Sequence, residues 1–368
     1  MKKILFGITS LTLGGAERVL VDLANELCEK YDITIFTIYS NGELEKQLSK
    51  KVKLKTLYNK QYNELSAIQK KIVPLKVLLN KNKIYKQNIK DNYEVEIAFL
   101  EGPITRLFSV RNDNTKKIAW IHNDISLVFG SGLKAKIKRK TDNKIYEQYN
   151  KLVFVSEDNK EKFEKVYNLE NEKYVIYNYI DSQTVIKKSE ESINVPFDSK
   201  DFNILTVARL VEQKAIDRLV KVHADLIKQE MNHKIYVIGD GPEREKIEKL
   251  IKENNVQDTF ILLGSKENPY PYIKAADCFA LLSNYEGYPM VLLEAQILEK
   301  FIVITNTAAR ETLQNYDNKM IVENNEEKIF TGLSEIIRNK EKYVKNSSNT
   351  RKYDNSEIIA KIESLINK

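Results

Sequence analysis

The stretch "KIYVIGDGPEREKIEKLI", residues 234–251, shows how this chain is built. It opens with a short apolar run rich in β-branched residues, which is typical of a buried strand. Glycine and proline follow, and Pro242 suits the first turn of a helix. Glu243 and Glu245 then stand where the positive end of a helix dipole favours acidic side chains. The stretch therefore predicts a β-strand followed directly by an α-helix.

The same unit recurs along the chain, which predicts mostly parallel sheets. Strand-like runs of the first half lie at 4–9, 33–38, 52–57, 95–100, 117–121, 152–156 and 174–180. Those of the second half lie at 202–208, 234–239, 259–264, 277–283 and 301–305. We predict an α/β protein with two tandem Rossmann-like, doubly wound domains, at 1–180 and 201–350. A polar, unpatterned linker at 181–200 joins them, and a helix at about 354–368 packs back on one domain, which we assign as the first.

Composition narrows the class of protein. A chain of 368 residues with 42% hydrophobic residues is long enough for two cores, and its net charge of +7 favours anionic partners. Cys28 and Cys278 have no metal-ligand spacing, so we interpret them as reduced core residues of a cytosolic protein. No run approaches the roughly 18 apolar residues of a spanning helix. The apolar N-terminus is broken by polar residues, which favours a first strand over a signal peptide.

Glycines and cations follow two of the predicted strands. Gly14 and Gly15 allow backbone N–H groups to approach a ligand, although a plain turn explains them equally well. They do not form the G-x-G-x-x-G pattern, which disfavours a dehydrogenase. Arg209 and Lys214 combine a forked donor with a mobile point charge, and together they can neutralise a diphosphate at the end of a sheet. The alternative is a pair of solvated surface charges.

The segment "SNYEGYPMVLLEA", residues 283–295, carries Glu286 and Glu294 around a turn and a helix start near Pro289. Eight helical steps span about 12 Å, whereas a hydrolase needs its two carboxylates about 5–9.5 Å apart. The spacing favours two carboxylates that bind different hydroxyl groups of one extended ligand, over a capping loop followed by an exposed helix glutamate. Free N–H groups at the helix start suit a phosphate; they belong to Tyr288, Met290 and Val291.

Several of these segments together resemble those of a known protein family. In family order, the chain resembles the GT4 family of nucleotide-sugar glycosyltransferases in "GGAERVL" (14–20), "VARLVEQKAID" (207–217), "VIGDGPEREKI" (237–247), "NPYPYIKAADCFALLSNYEGYPMVLLEA" (268–295) and "ITNTAARETL" (304–313). The resemblance implies the GT-B fold, in which two Rossmann-like domains face a central cleft. The segment at 268–277 is most similar to members that build bacterial capsule, lipopolysaccharide or teichoic-type glycans.

The resemblance also implies roles for residues. Arg209 and Lys214 would hold the donor diphosphate, Glu294 the ribose hydroxyls, and Glu286 the transferred sugar. The remaining implied donor contacts are the amides of Gly14, Gly15 and Gly287–Met290, base contacts from Ser265 or Lys266, and His122 facing the sugar. Two departures from the family stand out: Ala215 replaces a glycine that many relatives have, and "AARE" at 308–311 lacks the usual glycines.

The implied reaction is transfer of a hexose or N-acetylhexosamine, with retention, from a nucleotide-sugar to a growing cell-surface glycan. A UDP-sugar is the expected donor and a lipid-linked glycan the expected acceptor. No D-x-D sequence occurs, so we expect no metal and no cofactor. The alternatives are another GT-B enzyme, such as a sugar-nucleotide epimerase or a phosphorylase, and a non-enzymatic binder of glycan or nucleic acid. No zinc, helix-turn-helix or RNP pattern supports a nucleic-acid partner.

Two lysine-rich segments stand out in the first domain. Residues 68–90 interleave lysines with apolar residues and contain no acidic residue, and residues 134–140 form a second cluster. Basic amphipathic segments suit an anionic bilayer surface, where a lipid-linked acceptor lies. Solvated lysine-rich helices are the alternative. We therefore predict a cytoplasmic protein with peripheral contact at the inner face of the cell membrane.

Overall fold

The computed structural model describes residues 1–61, 64–125, 133–193, 196–197, 200–344 and 354–368. The chain divides into two compact units. Unit 1 comprises Met1–Ile180 together with Asn355–Lys368, and unit 2 comprises Asp181–Asp354. Among the helices of the described residues, none has both the length and the apolar character that a membrane span requires.

Unit 1 is built on a seven-stranded parallel sheet with the order β3-β2-β1-β4-β5-β6-β7. Its strands are β1 (Lys3–Ile8), β2 (Asp32–Tyr39), β3 (Lys53–Tyr58), β4 (Val95–Ala98), β5 (Lys116–Ile121), β6 (Lys151–Phe154) and β7 (Glu172–Val175). The helices are α1 (Gly15–Leu27), α2 (Ala67–Asn88), α3 (Pro103–Phe108), α4 (Leu133–Tyr146) and α5 (Glu157–Val166). The central strands are buried along nearly their whole length because helices cover both faces of such a sheet.

Unit 2 repeats this design with a six-stranded parallel sheet in the order β10-β9-β8-β11-β12-β13. Its strands are β8 (Phe202–Val207), β9 (His233–Ile238), β10 (Phe260–Gly264), β11 (Cys278–Leu281), β12 (Phe301–Thr305) and β13 (Lys319–Val322). The helices are α6 (Ser182–Ser189), α7 (Ile216–Lys228), α8 (Arg244–Glu253), α9 (Tyr270–Ala275), α10 (Met290–Ile297), α11 (Glu326–Arg338) and α12 (Lys340–Val344). Three short 3₁₀ helices lie at Glu43–Gln47, Glu212–Lys214 and Ala308–Leu313.

Each sheet has a topological switch point, where the strand order reverses and ligands of doubly wound folds bind. In unit 1 the reversal falls between β1 and β4, and in unit 2 between β8 and β11. The loop that contains Arg209 and Lys214 follows β8, and the loop that contains Glu286 follows β11. The fold thus places these three predicted site residues after the two strands that flank the switch point of unit 2.

The predicted linker at 181–200 requires a correction, because its first half is helical. Asp181 caps α6 by accepting a hydrogen bond from the Thr184 amide at 3.0 Å, and Val185 is buried. Asn268 donates to the Lys188 carbonyl at 2.9 Å, which fastens the helix to unit 2. The helix is short and has little apolar periodicity, so its capping aspartate was the only clear signal. Residues 194–195 and 198–199 of the predicted linker lie outside the described residues.

The C-terminal helix α13 (Ser356–Asn367) belongs to unit 1. Its Ile362, Leu365 and Ile366 are buried. The Nζ atoms of Lys2 and Lys116 donate to the Ile366 carbonyl at 3.3 and 3.2 Å. Two cations therefore meet the negative end of the helix dipole, which is a stabilising arrangement.

The interior of unit 1 contains an ion pair beneath α2. Lys117 Nζ lies 2.7 Å from Glu96 Oε2, and the two side chains are 3% and 1% exposed. The Tyr85 hydroxyl donates to the other Glu96 oxygen at 2.5 Å, and Lys117 also donates to the Phe108 carbonyl at 2.9 Å. Burial lowers the pKa of Lys117, and the nearby Glu96 carboxylate opposes that shift. These bonds satisfy both charges and connect β4, β5 and α2.

Candidate functional site

The switch point of unit 2 brings together two of the predicted site residues. Lys214 Nζ lies 2.5 Å from Glu286 Oε1, and the Ser283 hydroxyl donates to the same oxygen at 2.5 Å. The side chains of Lys214 and Glu286 are 15% and 6% exposed, so neither is a solvated surface charge. The resemblance had assigned these residues to different parts of a donor, and their direct contact is a feature that the sequence did not predict.

Hydrogen bonds between the two loops hold this pair in place. The Asn284 amide donates to the Gln213 carbonyl at 2.8 Å, and the Asn284 side chain donates to the Glu212 carbonyl at 3.0 Å. In return, the Gln213 side chain donates to the Tyr285 carbonyl at 3.0 Å. The residues that flank Lys214 and Glu286 are thus bonded to each other, which limits the movement of both functional side chains.

Ala215 gives the loop its shape. It is buried and adopts the left-handed conformation, with φ 49° and ψ 39°, between the 3₁₀ turn at Glu212–Lys214 and α7. A residue with a Cβ atom is disfavoured there by about 1–2 kcal/mol relative to right-handed backbone. This conformation explains physically why a glycine suits the position, and it shows that alanine still forms the turn that presents Lys214.

Arg209 is placed by a close approach of two backbone segments. Its side chain is exposed, and the flanking backbone of Ala208 and Leu210 lies against the turn after β9. A Cβ atom on Gly239 would lie 1.9 Å from the Ala208 carbonyl oxygen, and one on Gly241 would lie 2.3 Å from that of Leu210. The glycines of the "GDGPE" turn therefore allow the Arg209 loop to pack, a role that the sequence had not assigned to them.

Helix α10 carries the second glutamate. It begins at Met290, with Pro289 at the N-cap, one position before the helical turn where the sequence had placed this proline. Glu294 lies in the second turn and is 8% exposed, and Tyr270 donates to its Oε1 at 3.5 Å. Glu286 is equally buried. The structure thus contradicts the alternative of an exposed helix glutamate.

The N-terminus of α10 follows the loop that contains Glu286. Gly287 and Tyr288 are half-buried, Met290 is buried, and Val291 is half-buried. Pro289 supplies no side-chain cap, so the first amides of the helix are not capped from that position. A helix start without a side-chain cap, next to the Lys214–Glu286 pair, is a suitable environment for phosphate oxygens.

Ser265 and Lys266 lie further from the switch point. Both are exposed after β10, which is the edge strand, two positions from β8 in the sheet. Gly264 has a φ of +68° and turns the chain there, and Lys266 Nζ lies 5.9 Å from the centre of the Tyr272 ring. Their predicted contact with a nucleobase stays a prediction.

In unit 1, His122 follows β5 and differs from the other histidines. Its ring packs against Phe99 and Trp120, at centroid distances of 4.7 and 6.4 Å, and burial lowers its pKa to about 3. The imidazole is therefore neutral at neutral pH. Its Nε2 atom is buried and has no hydrogen-bond partner among the described residues. A neutral imidazole with an unbonded nitrogen is able to form a hydrogen bond with a ligand hydroxyl.

The other two histidines bond to each other. His223 Nδ1 and His233 Nε2 are 2.9 Å apart, His223 Nε2 meets the Thr259 hydroxyl at 2.8 Å, and His233 Nδ1 donates to the Met231 carbonyl at 2.8 Å. Burial lowers the pKa of both imidazoles. Their ring nitrogens are fully used within unit 2, which identifies them as structural.

Glu101 is a residue near His122 that the sequence analysis missed. Its Oε1 accepts hydrogen bonds from the amides of His122 and Asn123 at 2.6 and 2.7 Å, and its Oε2 accepts one from the Asn123 side chain at 2.8 Å. From the other side, Asn159 donates to the His122 carbonyl at 3.2 Å. Glu101 lies three residues after the end of β4, on the side of a parallel sheet where ligands bind, and this position was the available signal.

The glycine pair of unit 1 begins a helix as predicted. Gly14 is the N-cap of α1, and Gly15 is the first helical residue. A Cβ atom on Gly14 would lie 2.2 Å from Glu17 Oε2, so the Glu17 carboxylate occupies the space beside the glycine. In the described part of the chain, no group of three or more His, Cys, Asp or Glu side chains is arranged to hold a metal ion.

We expect Glu101→Ala to lower the free energy of unfolding of unit 1 by about 2 kcal/mol, because the half-buried His122 amide and the Asn123 amide lose their shared acceptor. Glu101→Gln keeps an acceptor oxygen for both amides and should cost about 1 kcal/mol. Trp120, the single tryptophan of the chain, is buried in unit 1, so its fluorescence during urea unfolding reports on this unit alone. Equal stability of the two variants would contradict a role for Glu101 in fixing the His122 segment.

With the geometry described, comparison with known proteins is informative. Residues 187–353 match the model of a family described as glycosyl transferases, group 1. An uncharacterized glycosyltransferase of Methanocaldococcus jannaschii is 28% identical over 216 residues, which are 57% of this chain and 53% of that protein. A Campylobacter jejuni protein is 27% identical over 367 residues, 95% of each chain. Its name is N-acetylgalactosamine-N,N'-diacetylbacillosaminyl-diphospho-undecaprenol 4-alpha-N-acetylgalactosaminyltransferase.

The solved structure of HepE from Anabaena, in complex with UDP and glucose, has a TM-score of 0.75 at 16% identity. The match covers 100% of this chain and 99% of HepE. At this identity the similarity establishes the fold and nothing more. It confirms that the two parallel sheets belong to the predicted GT-B class.

Proposed function

We propose that this chain is a glycosyltransferase related to group 1, whose family model matches residues 187–353. In this proposal it moves a hexose or N-acetylhexosamine from a UDP-sugar to a lipid-linked glycan. The observation that carries the proposal is the buried Lys214–Glu286 pair beside the start of α10. A cation and a helix N-terminus at a topological switch point are the components that a nucleoside diphosphate requires.

The support for donor and acceptor comes from different relatives. HepE, which has this fold, was crystallised with UDP and glucose. The Campylobacter jejuni relative is named for transfer of N-acetylgalactosamine to a glycan on diphospho-undecaprenol. A growing lipid-linked glycan of the cell envelope is therefore the acceptor class that we propose. The buried free cysteines, Cys28 and Cys278, fit a reducing cytosol, and the proposed location is the inner face of the cell membrane.

In the proposed mechanism, the bond between the anomeric carbon and the diphosphate breaks, and negative charge grows on the leaving UDP. Lys214 and the first amides of α10 stabilise that charge, which is electrostatic catalysis. Ser283 and Glu286 hold the lysine before substrate arrives, so little reorganisation is needed when the charge develops. Glu294 binds the ribose hydroxyls, Arg209 adds a second cation, and neither requires a metal.

The proposal includes retention of anomeric configuration. The acceptor hydroxyl attacks on the face that UDP leaves, and the leaving phosphate oxygen takes its proton. The neutral imidazole of His122 is proposed to accept or donate a hydrogen bond at the sugar, because its Nε2 is not otherwise bonded among the described residues. Such a ring orients a hydroxyl without adding charge.

A donor screen tests this proposal. Purified protein is titrated with UDP-, GDP- and ADP-sugars while binding and slow release of nucleoside diphosphate are followed. We expect a UDP-sugar to bind and to release UDP slowly without acceptor. Glu294→Gln should weaken binding by about 10- to 100-fold, since one charged hydrogen bond is worth about 1.5–3 kcal/mol. Isomerised donor would indicate an epimerase, and a requirement for inorganic phosphate would indicate a phosphorylase. Binding without any turnover, even with lipid-linked acceptor, would indicate a non-enzymatic binder.

A further inference from the structure

Helix α2 (Ala67–Asn88) has apolar residues on two opposite faces. Val77 and Ile84 are buried and pack into the core of unit 1. A second set of apolar side chains points into solvent, with exposed fractions between 52% and 73%; these are Ile68, Ile72, Leu75 and Leu79. Their spacing of four, three and four residues places all of them on one side of a helix. We call these four residues the outer stripe.

Lysines surround the outer stripe. Lys76 is exposed next to the stripe, and Lys83 and Lys86 are exposed beyond Asn80, where the helix is kinked. No acidic residue occurs between residues 65 and 90. Lys81 differs, because it donates to the Ser109 hydroxyl at 2.8 Å and burial lowers its pKa. It helps to fasten α2 to unit 1. Among the exposed lysines, Lys76 has its Nζ atom 5.7 Å from the centre of the Tyr58 ring. The outer face of α2 thus combines apolar surface with uncompensated positive charge.

We propose that the outer stripe and its lysines dock unit 1 onto a bilayer that contains anionic lipids. A helix of this pattern lies in the plane of the membrane surface, with the apolar side chains below the headgroups and the lysines among anionic phosphates. The stripe extends over about 16 Å of helix, at 1.5 Å per residue. The opposite face of α2 is packed on unit 1, so the helix binds lipid while it remains part of the fold.

The charge around the outer stripe favours a bilayer over a second copy of this chain as its binding partner. Two copies of α2 that paired along the outer stripe would place lysines opposite lysines, with no carboxylate on either helix to compensate. An acidic peptide would satisfy the lysines but leave the four apolar side chains without an apolar partner. A bilayer with anionic headgroups satisfies both. Docking would bring the enzyme to lipid-linked acceptors, and in that respect the inference rests on the proposed function.

Vesicle flotation of the full chain tests this surface. Vesicles of phosphatidylcholine with about one third phosphatidylglycerol are compared with phosphatidylcholine alone. We expect binding to the anionic vesicles that weakens with salt, and a loss of about tenfold or more in the double variant Leu75→Gln, Leu79→Gln. Lys83→Gln and Lys86→Gln should each lower binding about fivefold, on anionic vesicles only. Ile186→Gln, at an exposed apolar residue of unit 2, is the matched control and should bind like the wild type.

Several results would overturn the inference. They are no binding to anionic vesicles, equal loss in the Ile186 control, and a change in oligomeric mass when the stripe is altered, which would identify a second copy as the occupant. Trp120 fluorescence verifies that each variant is folded. The assay contains no donor and no acceptor, so its outcome is independent of the donor screen. Vesicle binding by a protein that fails the donor screen would remove the proposed function and leave the docking surface intact.

Discussion

Lys214→Met should lower kcat/KM for glycosyl transfer about 100- to 1000-fold, which is the usual effect of removing one preorganised donor of transition-state charge. Two losses combine in this variant. The cation that we propose for the leaving diphosphate disappears, and Glu286 stays behind as a buried carboxylate with the Ser283 hydroxyl on its Oε1. Steady-state release of UDP measures the effect. Lys249→Met, on the exposed face of α8, is the matched control and should keep wild-type activity.

The partner of this lysine allows a sharper test. In Lys214→Met the Glu286 carboxylate repels the growing charge of the phosphate, and in the double variant with Glu286→Gln that repulsion is gone. We therefore expect the double variant to lose less than the sum of the two single losses, as residues in direct contact do. Strict additivity would show that Lys214 and Glu286 act independently of each other. Wild-type turnover of Lys214→Met would show that the lysine takes no part in catalysis.

The second large effect concerns stability. Lys117→Met should lower the free energy of unfolding of unit 1 by about 3–5 kcal/mol, because it leaves the Glu96 carboxylate buried without its cation. The double variant Lys117→Met, Glu96→Gln removes both charges and should recover much of that loss. Urea unfolding followed through Trp120 reports the change for unit 1.

The matched control for this experiment is Lys53→Met. Lys53 forms a 2.8 Å ion pair with Asp32, and its side chain is 62% exposed. Exposed pairs contribute about 1 kcal/mol or less, so the control should unfold nearly like the wild type. If Lys117→Met were no more destabilising than Lys53→Met, the Glu96–Lys117 pair would not be the buried, mutually dependent contact described above.

Sequence patterns were sufficient to predict the sheets. Every stretch predicted as a strand overlaps a strand of the structure, because parallel strands buried on both faces read as continuous apolar runs. The missed strand β13 (Lys319–Val322) is a four-residue edge strand that is partly exposed, and such a strand has little hydrophobic signal. The run at 174–180 extended too far, since β7 ends at Val175 and the apolar residues beyond it are buried outside the sheet.

The sequence was sufficient to predict individual residues of the candidate site, but not which of them contact each other. Glu286 and Lys214 each stood at the end of a strand, yet they are 72 positions apart in sequence, and only the strand order β8-β11 makes them neighbours. Glu101 was missed for the same reason, since its bonds to His122 and Asn123 cross from β4 to β5. The left-handed turn at Ala215 was hidden because alanine gives no sign of that conformation.

The position of α13 has a consequence for synthesis of the protein. The seven strands of unit 1 leave the ribosome before unit 2, but the helix whose Ile366 carbonyl bonds to Lys2 and Lys116 is made after unit 2. Unit 2 therefore holds all of its own segments while unit 1 still lacks one. Domains usually fold in the order of their translation, whereas here a segment of unit 1 is translated only after unit 2. The surface of unit 1 that buries Ile362, Leu365 and Ile366 therefore stays uncovered while unit 2 is being made.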